Sequence, residues 1–231
     1  MNVLDLRSLA DGRDAKALTN RMRTRRFKRF EGLIESLPRP IRIIDIGGTN
    51  EFWEQRGWAG LKDVEITAVN FAALELEQRH QNIRVVAGDA ADLPQFRDQE
   101  FDVAFSNSVI EHLFTKERQM SMANEIRRIA KAYWVQTPNY WFPIEPHFHT
   151  PGWQWLPHSV RVSIIRRRRC GWRGPCPDVQ QAEAAVSEVR LMTRSELAEA
   201  FPGALIWKER FLGLTKSLVA YDGFDTNRAA T

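Results

Sequence analysis

Thirteen residues, Ile41 to Trp53 (IRIIDIGGTNEFW), limit the fold of this chain more than any other stretch. Ile41, Ile43, Ile44 and Ile46 form a short β-branched run, the pattern of a strand covered on both faces in the middle of a parallel sheet. Asp45 sits inside the end of that run. Gly47 and Gly48 follow at once and permit positive φ and a close approach of backbone to ligand. Glu51, Phe52 and Trp53 then begin a helix. A strand, a glycine turn and a helix make the first half of a Rossmann-like nucleotide site.

Further along, Val64–Val69 ending at Asn70, Asn82–Ala87, Phe101–Ser106 and Tyr133–Thr137 read as four more strands, with helical patterns through Leu74 and Leu76 and from Asn107 to Ala130. Strands separated by helices predict a parallel sheet with right-handed crossovers. Near the end, Thr193 to Glu196 is a capping box opening a helix that reaches Phe201. Ala204–Arg210 and Ser217–Tyr221 form a last pair of strands, and the tail after Asp222 frays. The expected fold is therefore α/β, a Rossmann-like, mostly parallel seven-stranded sheet with a C-terminal antiparallel hairpin and a cap insert. Four units follow: residues 1–40, an N-terminal basic helix; 41–137, the cofactor-binding core; 138–178, the cap or acceptor insert; and 179–231, the helix and hairpin that complete the core.

In such a sheet ligands lie beyond the carboxyl ends of the strands. Those ends carry Asp45, Gly47 and Gly48, then Asn70, then Asp89 and Ala90, then Ser106 and Asn107. Glycine backbone for close approach, an amide for a ribose hydroxyl and a carboxylate for an exocyclic amine together suit an adenosine.

These same stretches, IRIIDIGGTNEF, GDAADLP and FDVAFSNSVIEHL, make the chain resemble a class I S-adenosylmethionine-dependent methyltransferase of the broad small-molecule and lipid-precursor group. The resemblance covers about Ile41 to Thr137, and the closing helix and hairpin fit it. It implies S-adenosylmethionine as cofactor, with Asp45 and Gly47 against its methionine part and Asp89, with Ala90 backbone, near its adenine. Two departures stand out: Thr49 and Glu51 occupy the places of the second and third loop glycines, and Asn70 replaces a ribose-binding carboxylate, an uncharged acceptor in place of a charged one. An NAD site is disfavoured because G-x-G-x-x-G is missing.

Methyl transfer is an in-line displacement in which the protein positions the nucleophile and excludes water. An alcohol acceptor also needs a base, for which Glu111 and His112 after the fourth strand, and His147 and His149 in the cap, are the candidates. Ile110 to Leu113 followed by Thr137-Pro138-Asn139 is also similar to small-RNA 2′-O-methyltransferases and quinone-pathway methyltransferases, whose E-x-x-E-H cluster binds a divalent metal. Here Ser108 takes the first glutamate position and leaves a hard cation too few oxygen ligands, so no metal is expected.

Charge is local rather than global: 33 Lys and Arg stand against 29 Asp and Glu. One basic concentration, Arg21 to Arg29, could touch a phosphate or an acidic partner, although a solvated helix face is the simpler reading. The second is Arg166 to Arg169, behind Trp153, Trp155 and an apolar stripe of Leu156, Val160 and Ile164. That combination suits peripheral contact of residues 153–169 with an anionic membrane surface, or RNA, or a lid whose arginines stay wet. With no membrane-length apolar run and no signal-peptide core, a cytoplasmic location is expected, with peripheral contact at the inner face of the membrane. Cys170 and Cys176 read as free thiols. The leading expectation is methylation of a small-molecule or lipid-linked acceptor at oxygen. The alternatives are an RNA methyltransferase, although nucleic acid is the less favoured partner, and a non-catalytic scaffold that keeps the fold.

Overall fold

The structure is a computed structural model that describes residues 18–71 and 78–224. The expected helical stretch through Leu74 and Leu76 lies outside the described residues. Helix α1 (Leu18–Ile34) leads into β1 (Ile41–Ile46), α2 (Asn50–Gln55), β2 (Val64–Asn70), β3 (Ile83–Ala87) and β4 (Phe101–Asn107). Then come α3 (Lys116–Ile129), β5 (Ala130–Pro138), α4 (His158–Arg167), α5 (Val179–Ser187), α6 (Arg194–Ala200), β6 (Leu205–Phe211) and β7 (Leu214–Asp222). The strands form one sheet in the order β3-β2-β1-β4-β5-β7-β6. Its first five strands are parallel, and β7 pairs antiparallel with both β5 and β6. The mostly parallel seven-stranded sheet with its closing hairpin is thus found as expected. The chain winds outward from β1 to β3 and returns beside β1 as β4, which puts the topological switch point at the ends of these two strands.

Why β1 reads as an unbroken apolar run is visible in its burial. Ile41 and Ile43 face one core with Phe27, Phe30, Trp53, Phe105 and Trp134, and Ile44 and Ile46 face the other with Met122, Ile126, Val135 and Phe201. Helix α1 closes the first core through Phe27, Phe30, Leu33 and Ile34, spaced at three and four residues, with Arg21, Arg23, Arg25 and Lys28 on the exposed side. Strand β5 starts three residues earlier than the sequence suggests, because Ala130, the C-cap of α3, is already extended at φ −131° and ψ 148°.

Two differences lie in the second half. Helix α5 was not expected; its signal is Asp178, which caps it by accepting from the Gln181 N–H at 2.8 Å. In α4 the buried positions are Val162 and Ile165, while Val160 is exposed, so the apolar face is rotated from the expected stripe of Leu156, Val160 and Ile164. The reason is the unforeseen α5: with Ala182 and Val186 it forms a separate small core with Val162, Ile165, Phe148 and Trp153. Arg166 to Arg169 remain exposed. No described helix is long and apolar enough to cross a membrane.

The docking of α1 rests on Phe30, which is fully buried against Phe105 and Trp134 at ring-centroid distances of 4.8 and 5.9 Å. Phe30→Ala is expected to cost about 3–5 kcal/mol in urea denaturation. A loss below about 1 kcal/mol would mean that α1 is not an integral part of the core.

Candidate functional site

The ends of β1, β2, β3 and β4 lie side by side, because Asp45 is in register with Ala68 and Phe105, and Asn70 with Ala87. The Gly47 N–H donates to the Val69 carbonyl at 2.8 Å and the Gly88 N–H to the Asn70 carbonyl at 3.3 Å, so the first and third loops both lean on the tip of β2. The two loop glycines are required for different reasons. Gly47 has φ +80°, and a Cβ there would lie 2.3 Å from Val109 Cγ2; at Gly48 it would lie 2.0 Å from Asp45 Oδ2.

Of the residues expected around a cofactor, Asp45 is buried and takes a 2.7 Å hydrogen bond from the Trp53 indole N–H. Burial pushes its pKa up to about 7 against that bond. Ser106 is also fully buried and donates to the Ile46 carbonyl, and Ala90 is buried in the core. Gly47, Asn70 and Asp89 keep partial exposure at the strand tips. Asp89 takes two 2.8 Å hydrogen bonds from Arg118 and one from the Ala91 N–H at 3.0 Å. Burial alone would raise its pKa, but these bonds hold it below the usual carboxylate range. A carboxylate has about four lone-pair positions, so one remains open. Asn107 accepts from Arg26 Nη1 at 2.9 Å and lines a cavity of about 550 Å³.

That cavity is bounded by α1, α2, the ends of β4 and β5, the loop after β5 and the β6–β7 hairpin. Its size is within the range of small-molecule sites. Three of the four base candidates, Glu111, His147 and His149, line it; His112 does not. Glu111 is held on a short 3₁₀ turn (Ile110–His112) and is fully buried. Its Oε2 accepts from the Thr137 hydroxyl at 3.0 Å, whereas Oε1 is without a hydrogen-bond partner. Burial pushes the Glu111 pKa up to about 7.

His147 is fixed by a residue that sequence reasoning passed over. Glu145, also buried, accepts from the His147 and Phe148 backbone N–H groups at 2.7 Å each and lies 2.6 Å from His147 Nδ1. Its only sequence signal was the Glu-x-His spacing. Burial works against a charged imidazole, but the Glu145 hydrogen bond and charge, helped by Glu111, hold the His147 pKa above its ordinary value. His112 packs edge-on against His147 at 4.8 Å and has its pKa lowered, first by burial and then by His147. One ligand atom each from Glu111, His112 and His147 lies within 4.8 Å of the other two, a set that could hold a transition ion. The expectation of no metal counted carboxylates near Ser108 and did not foresee that the loop would bring His147 alongside.

The cavity also contains groups with no clear sequence signal: Gln136, which accepts from the Ser108 hydroxyl at 2.9 Å, and Glu209, which accepts from the Ser217 hydroxyl at 2.6 Å. Arg26 is buried, and its Nε lies 3.4 Å from Glu209 Oε1.

Comparison with known proteins adds three findings. Residues 47–132 match a family model described as a methyltransferase domain. Over 71 residues the chain is 37% identical to an uncharacterised protein of Mycobacterium tuberculosis, an alignment covering 31% of this chain and 24% of the relative; the chain spans about a quarter of the length of the curated relatives it matches. Among solved structures, the CurJ carbon methyltransferase aligns with a TM-score of 0.57 at 15% identity, covering 94% of this chain and 58% of that one. A protein of Bordetella parapertussis described as a possible exported protein aligns with a TM-score of 0.51 at 13% identity, covering 86% of this chain and 67% of that one. At these identities the structural matches show a shared fold.

The raised pKa of Asp45 has a consequence for stability. Between about pH 4 and pH 7 the folded state keeps a proton that the unfolded chain releases, so stability falls as pH rises through this window. Asp45→Asn keeps an oxygen for the Trp53 N–H but cannot ionise. Its urea-denaturation profile is expected to decline less from pH 4 to pH 7.5 than that of the wild type, with Glu111 accounting for part of the residual slope. Identical slopes would show that Asp45 does not hold a proton in the fold.

Proposed function

We propose that this chain, which carries a class I methyltransferase domain, transfers the methyl group of S-adenosylmethionine to an oxygen of a small-molecule or lipid-linked acceptor bound in the 550 Å³ cavity. The observation that carries the oxygen assignment is the Glu145–His147 pair, in which His147 lines the cavity and buried Glu145 stands behind it. With Nδ1 held by Glu145, His147 has Nε2 left to take a proton from a hydroxyl acceptor, the arrangement in which a carboxylate orients a general base.

The strand tips fit the cofactor on their own chemistry. Gly47 offers partly exposed backbone, Asn70 an amide and Asp89 one spare lone pair. When bound, S-adenosylmethionine supplies a methyl group on a positively charged sulfur, ready for displacement. The chain then orients the acceptor in a partly enclosed cavity and removes its proton at His147. Because Glu145 holds the imidazole charged to higher pH, the base is free only above the ordinary histidine range.

A second reading of the same wall is supported by the Glu111, His112 and His147 trio, which would hold a metal against the acceptor oxygen and lower its pKa directly. Loss of activity on chelation and its return on adding Zn²⁺ or Mn²⁺ would favour that reading. For a lipid-linked acceptor, exposed Trp141, Trp155 and Val160, together with Arg166 to Arg169, would meet an anionic membrane surface.

Incubation with methyl-labelled S-adenosylmethionine and fractionated cell extract is expected to place label in the aqueous small-molecule or lipid pool. Label in RNA alone, or in no pool, would contradict the proposal. With the acceptor found, the rate should rise with pH with an apparent pKa above that of free histidine. His147→Ala should lower kcat by about 10²-fold or more. Glu145→Gln should move the pH profile to lower pH, since removing the carboxylate charge releases the proton more readily.

A further inference from the structure

The cavity wall carries more positive charge than its own carboxylates neutralise, and we propose that it is a binding site for an anionic group, phosphate or carboxylate, on the acceptor. This inference rests on the methyltransferase reading above and adds a substrate class to it.

Four cations line the wall: Arg23, Arg26 and Arg56 at one side, and Lys216 on β7. Glu209 is engaged by Arg26 and by the Ser217 hydroxyl. Among the described residues, Arg23, Arg56 and Lys216 have no carboxylate within 4.0 Å. Arg26 is about nine-tenths buried and already engaged, its Nε facing Glu209 Oε1 at 3.4 Å and its Nη1 bonded to Asn107, whereas the buried Nε of Arg56 makes no hydrogen bond. Arg56 is held in place by the rings of Phe27 and Phe52, at 5.1 and 5.5 Å, and by a 3.1 Å bond to the Thr24 hydroxyl. Guanidinium groups that lack a charged partner are costly where water is partly excluded, and an anion in the cavity would give Arg23 and Arg56, which line it, the oxygen partner they lack.

Lys216 reaches the wall through a specific backbone feature. In the β6–β7 ladder Glu209 faces Ser217 while Arg210 faces Thr215, which leaves Lys216 as an extra residue. Regular strands send successive side chains to opposite faces, but this bulge lets both Lys216 and Ser217 line the cavity. The ammonium group then sits 3.9 Å from Met22 Sδ, a poor partner for a charge. Burial lowers its pKa, Glu209 pulls it back up, and the neighbouring Arg26 and Arg23 lower it further.

Two sources could supply the anion: the acceptor, or the carboxylate of the cofactor's methionine part. Isothermal titration of inorganic phosphate into the full chain, at constant ionic strength and with S-adenosylhomocysteine saturating, separates them. Binding that persists with S-adenosylhomocysteine present and weakens about tenfold, or about 1.4 kcal/mol, in Lys216→Met supports an acceptor site. Arg23→Met, at an exposed position that cannot disturb the core, should weaken it as well. Phosphate binding that S-adenosylhomocysteine abolishes but adenosine does not would assign the cations to the cofactor and overturn the proposal. So would binding unchanged in both variants, or no binding at millimolar phosphate. If S-adenosylhomocysteine does not bind at all, titration of phosphate alone still reads the subsite, and its weakening in both variants would support the anion site while the methyltransferase reading fails.

Discussion

The polar groups at the strand ends are placed by the fact that β1 has no free face. Of its six residues only Arg42 is exposed; the isoleucines are divided between two cores, one closed by α1 and the other by α3 and α6. A strand buried on both sides can offer ligand-binding groups only where it ends. The chain reverses direction across the sheet at that point, between β1 and β4, so the neighbouring ends open into a crevice instead of being covered by a crossover. The close packing extends into the turn itself. Val109 rests on Gly47 and the Asp45 carboxyl on Gly48, so neither position has room for a side chain.

Charge is concentrated next to this crevice, at a cost that packing alone does not explain. Buried ionisable groups are tolerated when they are paired or when they change protonation state, and the site shows both responses. Glu145 is satisfied by two backbone N–H groups and an imidazole, Glu209 by Arg26 and Ser217. Asp45 and Glu111, with few partners, have their pKa values raised to about 7 instead. These groups come from α1, β1, the turn after β4, the loop after β5 and the final hairpin. The cavity is therefore an assembly that exists only once the sheet is complete, and its electrostatics depend on α1 being docked.

The sheet was legible in the sequence because its signals are local. Ile41 to Ile46, Val64 to Asn70 and Phe101 to Asn107 are apolar runs ended by small or polar residues, and Thr193 to Glu196 is a capping box found in the structure as written. The positions of Asn70, Asp89 and Asn107 at adjacent strand tips followed from the same pattern. Asp45 and Ser106 show its limit: a polar residue one position before the end of a strand points into the interior, and whether it does so depends on a neighbour such as Trp53 eight residues later. Helix α5 was missed because its apolar positions, Ala182 and Val186, are few and small. Its absence from the reading also shifted the assigned face of α4. Glu145, Glu209 and Lys216 were missed for a different reason: their roles are set by contacts across the fold and by a bulge in β7, which no short stretch of sequence encodes.

The convergence of strand tips on one adenosine is tested most directly by calorimetric titration of S-adenosylhomocysteine into the wild-type chain and into Asp89→Ala. One-to-one binding that weakens about tenfold or more in the variant, without loss of folded structure, is the expected result. No heat of binding at millimolar ligand, or equal affinity in the two proteins, would contradict it.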